Sequence, residues 1–165
     1  MHLSEICAII KKRNKLYYNY REMKLMDFFE IKLAEKIGNV FSTAMRERKF
    51  NRYQFIKKWC LSDTCNAVFD FDETLCSQAK SYILRTFEEE FEGNLPDTDD
   101  ESPIYEDDAY WFGYILTYWH FSEGISGEQI LKEYDVCKIL DEYDILHTLS
   151  VKAAIEKIRE DDKNG

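Results

Sequence analysis

Apolar residues recur at helical spacing along most of the chain. Phe29, Leu33, Ile37 and Phe41 repeat every four residues, which predicts an amphipathic helix from Asp27 to about Arg48. Residue types that cap helix N-termini precede several further apolar stripes, and no hairpin pattern interrupts them. The predicted starts of these shorter helices are Asn51, Ser62, Ser77, Ser126, Asp135 and Ser150.

One segment, from Ala109 to Phe121, is apolar on nearly every face and holds two of the three tryptophans. A helix of this kind lies in a core or in a membrane, and this one is shorter than the roughly 20 residues that a span needs. Acidic residues precede it and Gly124 follows it, as helix ends favour. We therefore predict an all-α, compact multi-helix bundle around a central aromatic helix at about residues 106–123.

The length of 165 residues suits one domain. We assign residues 1–22, a basic run beside tyrosines, to a leader segment and residues 23–165 to a single all-α domain. Residues 94–108 contain both prolines and no basic residue, and are predicted to form an acidic linker. The polar tract of this linker holds Asp97, Asp99, Asp100 and Glu101.

Charge is distributed unevenly. Residues 1–60 carry 14 Lys/Arg and 6 Asp/Glu, whereas residues 61–165 carry 8 Lys/Arg and 26 Asp/Glu. An acidic C-terminal part makes nucleic-acid binding an unfavoured function and suits a basic protein partner, although solvated charge on helices would look the same. Four glutamates also crowd the end of the helix predicted after Ser77, where the dipole disfavours them, so we expect them to have another use.

The five cysteines and three histidines do not have the spacing of a standard zinc site. We expect reduced, mostly buried cysteines, and we predict neither a metal nor a cofactor. The N-terminus lacks the basic and apolar regions of a secretory signal, and no apolar run reaches membrane length. The expectation is a cytoplasmic protein without a membrane partner.

A short motif offers an alternative. The sequence Ala-Val-Phe-Asp-Phe-Asp-Glu-Thr-Leu at residues 67–75 resembles the first motif of haloacid-dehalogenase phosphatases. This resemblance implies a magnesium-dependent enzyme with Asp70 as nucleophile and Asp72 as general acid/base. That fold requires a parallel sheet, whereas the residues after Leu75 are predicted to be helical.

Tyrosines form one face of the central helix, because Tyr110, Tyr114 and Tyr118 are four residues apart. Trp111, with Ile115 and Trp119, forms another face. A partly exposed tyrosine face would suit protein binding, since aromatic residues are common at interface hot spots; alternatively, both faces belong to the core. His120, in the same helix, is either a hydrogen-bonded residue of the core or its rim, or a further contact.

Several motifs together resemble a family of small helical bacterial proteins that are often encoded beside predicted ADP-ribosyltransferase-like toxins. The similarity covers roughly residues 27–160, and one departure is Leu116-Thr117, where the family commonly has an arginine. The matching pieces are Tyr110–Tyr114 with Tyr118-Trp119, Ser126–Ile130, His147–Leu149, Ala154–Glu156, Ser62–Cys65, Cys76–Gln78 and Tyr82–Leu84.

This resemblance implies binding rather than catalysis, so we expect an antitoxin-like protein that neutralises a toxin from a neighbouring gene by stoichiometric occlusion. Acidic residues from Glu88 to Asp108 would steer a basic partner, and the tyrosine face would anchor it. Two alternatives stay open: the phosphatase, and an acidic mimic of DNA that blocks a nucleic-acid-binding protein.

Overall fold

The computed structural model describes residues 26–92, 94–95 and 105–163. Over these ranges the chain forms ten helices and no strand, so the predicted all-α fold is confirmed. The predicted leader at residues 1–22 lies outside the described residues. The helices are α1 (Phe28–Arg48), α2 (Arg52–Leu61), α3 (Asp63–Phe69), α4 (Glu73–Cys76), α5 (Lys80–Glu90), α6 (Glu106–Glu123), α7 (Gly127–Glu133), α8 (Val136–Asp141), α9 (Tyr143–Leu146) and α10 (Val151–Lys163).

The predicted central helix is α6, and α1 lies along it. Two glycines allow the close approach of these helices. A Cβ atom on Gly113 would come within 2.8 Å of the Phe41 ring, and one on Gly38 within 2.8 Å of the Tyr110 carbonyl oxygen. The last three residues of the predicted linker, 106–108, form the first turn of α6.

Aromatic rings from three helices fill the centre of the core. Phe41 of α1 contacts Phe55 and Trp59 of α2, with ring centroids 4.9 and 5.2 Å apart. Phe87 of α5 contacts the same two rings at 5.1 and 5.3 Å. All four side chains are at most 1% exposed, so the hydrophobic effect ties α1, α2 and α5 together here.

Capping side chains define several helix starts, and those of Asn51, Ser62 and Ser126 were predicted. The side chains of Asp27, Asn51, Ser62 and Ser126 accept the expected backbone hydrogen bonds, and Asp27 and Ser126 form complete capping boxes. The helix predicted from Ser77 instead begins at Lys80. Ser77 ends α4, a separate turn, and so cannot also begin the next helix.

Acidic residues at the end of α5 make contacts with other helices. Glu90 accepts hydrogen bonds from the backbone N–H groups of Asp63 and Thr64, at the start of α3. Glu88 pairs with Arg48 of α1 at 2.8 Å. The carboxylate of Glu90 thus occupies the favourable end of a second helix dipole, which accounts for its unfavourable place on its own helix.

Candidate functional site

Asp70 and Asp72 lie at the junction of two helices. Asp70 ends α3, and the side chain of Asp72 caps α4 by accepting a hydrogen bond from the Leu75 backbone N–H at 2.9 Å. Both residues are exposed, and Phe71 between them has a φ of 58°. The described part of the chain has no strand before this pair, and it contains no group of three acidic, cysteine or histidine side chains placed to hold a metal ion.

His120 ties two parts of the chain together. Its Nδ1 is 2.8 Å from the Ile125 carbonyl oxygen and its Nε2 is 3.0 Å from that of Phe69. The imidazole also stacks on the Phe69 ring, with centroids 3.9 Å apart. Both ring nitrogens therefore face internal acceptors, joining the end of α3 to the turn between α6 and α7.

The predicted tyrosine face is half-buried. The rings of Tyr110 and Tyr114 lie 6.4 Å apart, and those of Tyr114 and Tyr118 lie 6.2 Å apart, forming a ladder along α6. Burial raises the pKa of Tyr110 and Tyr114. On the opposite face Ile115 and Trp119 are each 2% exposed. The tyrosine face is thus partly accessible, as the binding hypothesis requires.

The acidic contact residues predicted in the linker, namely Asp97, Asp99, Asp100 and Glu101, lie outside the described residues. Among the acidic residues that the structure does describe, Glu106 pairs with Arg46 at 3.6 Å. Glu88 and Glu90 also contact other helices, so they are committed to internal contacts rather than free for a partner. A DNA mimic would need a row of uncommitted carboxylates on one face, and that alternative stays a prediction.

A cavity of about 550 Å³ lies where the start of α6 meets α2, α8 and α9. We call it the acidic pocket, because five carboxylates and one cationic side chain of the described residues line it. It is lined by Arg52, Tyr105, Glu106, Asp107, Asp108, Leu140, Asp141, Tyr143 and Asp144.

The least exposed charged groups of the acidic pocket form an ion pair between Arg52 of α2 and Asp108 of α6. The two side chains are 13% and 5% exposed. The Arg52 guanidinium also donates to Asp141 at 3.2 Å and to the Tyr53 hydroxyl at 2.6 Å. It lies over the Tyr105 ring, 3.8 Å from the centroid. The pocket therefore already holds one guanidinium between carboxylates and aromatic rings.

Burial shapes the electrostatics of this pair. It raises the pKa of the Asp108 carboxyl, an effect that the neighbouring Arg52 opposes. Burial alone would lower the pKa of Arg52, but Asp108 and Tyr53 raise it overall. Asp108 Oδ1 is buried and accepts no hydrogen bond from the described residues. Burial of this carboxylate is costly, and the ion pair with Arg52 together with the Ala109 backbone N–H offsets part of that cost.

Exposed groups surround the ion pair. Asp107, Asp141 and Asp144 are exposed, and Tyr105 is 38% exposed. Tyr143 is half-buried and contacts Trp111 edge-on at 5.8 Å. A mouth that combines carboxylates with aromatic rings suits a cationic group, since carboxylates supply charge and the rings supply cation–π contact.

Sequence reasoning missed most of this pocket. Asp108 is 56 residues from Arg52, and Asp141 is 89 residues from it. A search for residues at short spacing in the sequence cannot detect a cluster whose members are so far apart along the chain. The available signal in the sequence was the acidic pair Asp107-Asp108 before the central helix, and this pair was assigned to the end of the predicted linker.

None of the described helices is both long enough and apolar enough to cross a membrane. Comparison with known proteins provides no assignment: the chain matches no protein-family model, no curated protein and no solved structure.

Proposed function

We propose that this protein is a non-enzymatic binding module that recognises a basic segment of a protein partner. The observation that carries the proposal is the acidic pocket, which five carboxylates and one guanidinium of the described residues line, with Asp107 and Asp144 exposed. An antitoxin-like neutraliser, acting by stoichiometric occlusion of a toxin from a neighbouring gene, is the specific form suggested by the resemblance of the sequence. In this form the protein works in the cytoplasm.

Charge and desolvation support this proposal. The pocket has an excess of four negative charges at neutral pH if every acidic group in it is ionised, and three of its carboxylates are exposed at the mouth. Such a concave acidic surface attracts cations at long range and speeds association with a basic partner. Concave sites with a few placed polar groups are also where proteins usually bind ligands.

The tyrosine face supplies a second area of contact. It runs along α6, the helix whose first turn contributes Glu106, Asp107 and Asp108 to the acidic pocket. Half-buried tyrosines add apolar area at low entropic cost and are common at interface hot spots. A partner that enters the pocket with a basic side chain would then pack against Tyr110 and Tyr114.

The test is co-expression with the product of the neighbouring gene, followed by affinity capture and mass spectrometry. We expect one stoichiometric partner whose toxicity the protein suppresses. Asp107→Lys with Asp144→Lys should weaken capture and reduce its dependence on salt. The matched control is Glu128→Lys with Glu133→Lys, which reverses two exposed charges on α7, outside the pocket. Capture that is equal in both double variants would refute the acidic pocket as the binding site.

A further inference from the structure

We infer that the acidic pocket selects arginine rather than lysine side chains of its partner. This inference rests on the proposed function, because it takes the pocket as the partner site, and it adds the chemical class of the group that enters. It depends on two features of the pocket: its aromatic walls and its arrangement of carboxylates.

Arg52 shows how this environment holds a guanidinium. The side chain is paired with Asp108 and Asp141, and it lies over the rings of Tyr53 and Tyr105, 4.6 and 3.8 Å from their centroids. Planar guanidinium groups stack on aromatic rings and bond carboxylates through a fixed fork of donors. The same wall presents the exposed part of Tyr105 to an incoming group.

A lysine ammonium would gain less here. It is a compact, strongly hydrated charge, so entering a pocket lined by tyrosines costs more desolvation and gives less stacking. Tyr143, Asp144 and Asp107 line the same pocket, so a ring and two carboxylates are within reach of one entering group. One face of the Tyr143 ring stacks on His147, with centroids 4.4 Å apart, which leaves its other face for a ligand. The planar fork of arginine can engage a carboxylate with two donors while its face contacts a ring.

Asp108 lines the pocket but is already committed to Arg52. It is only 4% exposed, its carboxylate pairs with Arg52, and its buried Oδ1 is out of reach of an entering group. The carboxylates open to that group are therefore the exposed ones, Asp107 and Asp144. The volume of about 550 Å³ lies within the usual range for ligand sites and leaves room for an arginine together with adjoining backbone.

The experiment compares oligoarginine and oligolysine peptides of equal length, with calorimetry on the full chain. We expect the arginine peptide to bind about five- to tenfold more tightly, since two cation–π contacts of ordinary strength give a difference of that order. Tyr105→Leu and Tyr143→Leu should bring the ratio of the two dissociation constants towards one, mainly by weakening the arginine peptide.

Two controls make the result specific. Tyr143→Phe keeps the aromatic ring and should keep the preference for arginine. If Tyr143→Leu loses the preference and Tyr143→Phe keeps it, the ring itself is responsible. Tyr82→Leu alters a tyrosine on α5 that is 42% exposed, outside the pocket, and should leave both affinities unchanged. Circular dichroism of each variant confirms that the helices are intact.

The outcomes separate this inference from the proposed function. Equal affinity for the two peptides, with both weakened by Asp107→Asn and Asp144→Asn, would overturn the preference for arginine and leave the acidic pocket as the binding site. If these two substitutions change neither affinity, both the inference and the assignment of the pocket are wrong. An arginine preference that survives Tyr105→Leu and Tyr143→Leu would refute the role of the rings.

Discussion

Gly113 of α6 lies directly against the ring of Phe41 of α1. A Cβ atom at position 113 would stand 2.8 Å from the ring carbon Cγ and 3.0 Å from the Ile37 carbonyl oxygen. Phe41 is fully buried and contacts Phe55 and Trp59, so its ring has no room to move aside. This contact sets how closely the central helix packs on α1, and with it the position of the helix that supplies the acidic pocket and the tyrosine face.

The first prediction follows from this contact. Gly113→Ala should lower the free energy of unfolding by about 1–2 kcal/mol. A contact of 2.8 Å with a buried ring places the cost of overpacking near the upper end of its usual range, about 2–3 kcal/mol, and the better helix propensity of alanine offsets only about 1 kcal/mol of it. Chemical denaturation monitored by circular dichroism measures the change. The control is Asn39→Ala on the exposed side of α1, which should stay within about 0.5 kcal/mol. A Gly113→Ala variant as stable as the unmodified protein would contradict the close packing.

The second prediction concerns Glu90. Glu90→Gln should lower the free energy of unfolding by about 1 kcal/mol, the usual value for a lost helix cap. The amide NH₂ replaces one of the two oxygens that accept hydrogen bonds from Asp63 and Thr64, and the negative charge at the start of α3 is lost. Glu89→Gln is the control, since its side chain is 71% exposed and pairs with Arg85 on the same helix. Thermal unfolding of both variants decides: equal stability would mean that Glu90 does not act as a cap.

Helix ends were predictable because their causes are local. Asp27, Asn51, Ser62 and Ser126 each bond a backbone group within three residues, so the sequence itself contains both partners. Buried positions such as Ile37 and Phe41 were likewise predicted by periodicity. These local rules were sufficient to establish the all-α fold and its central helix.

Periodicity was less successful where burial depends on other elements. Phe29 shares the helix face of Leu33, but its side chain is 70% exposed while Leu33 is 4% exposed. The repeat identifies the face of a helix without showing how far neighbouring helices cover it. The acidic pocket illustrates the same limit, because Arg52, Asp108 and Asp141 meet only through the packing of three helices.

The third prediction tests the assignment of His120 as an internal tie. His120→Phe keeps a ring that can stack on Phe69 but removes both ring nitrogens, including the N–H that donates to one of the carbonyl oxygens of Phe69 and Ile125. Losing that hydrogen bond should lower the free energy of unfolding by about 1–3 kcal/mol. Binding of oligoarginine by the folded variant should not change. His147 is exposed and its Nδ1 lies 2.7 Å from the carbonyl oxygen of Tyr143, so His147→Phe should lower the free energy of unfolding less than His120→Phe does. A loss of binding without a loss of stability would make His120 a contact residue instead.

The fourth prediction concerns alkaline pH and the thiol of Cys60. Burial raises the pKa of this thiol to about 12. In the unfolded chain the thiol ionises near its ordinary pKa of about 8.5, so rising pH favours the unfolded state. The contribution of Cys60 to stability is therefore complete below about pH 8.5 and is lost progressively as the pH rises towards about 12.

The measurement compares Cys60→Ala with the unmodified protein in urea titrations at several pH values. Replacing the side chain opens a small cavity at any pH, but the variant has no thiol to ionise. Its disadvantage should thus shrink by about 1.4 kcal/mol for each pH unit above about pH 9. Val68→Ala, a buried substitution without a titrating group, should show a constant disadvantage over the same range. If the difference in free energy of unfolding between Cys60→Ala and the unmodified protein is also constant, Cys60 ionises as readily in the folded protein as in the unfolded chain. The thiol would then not be buried in the core.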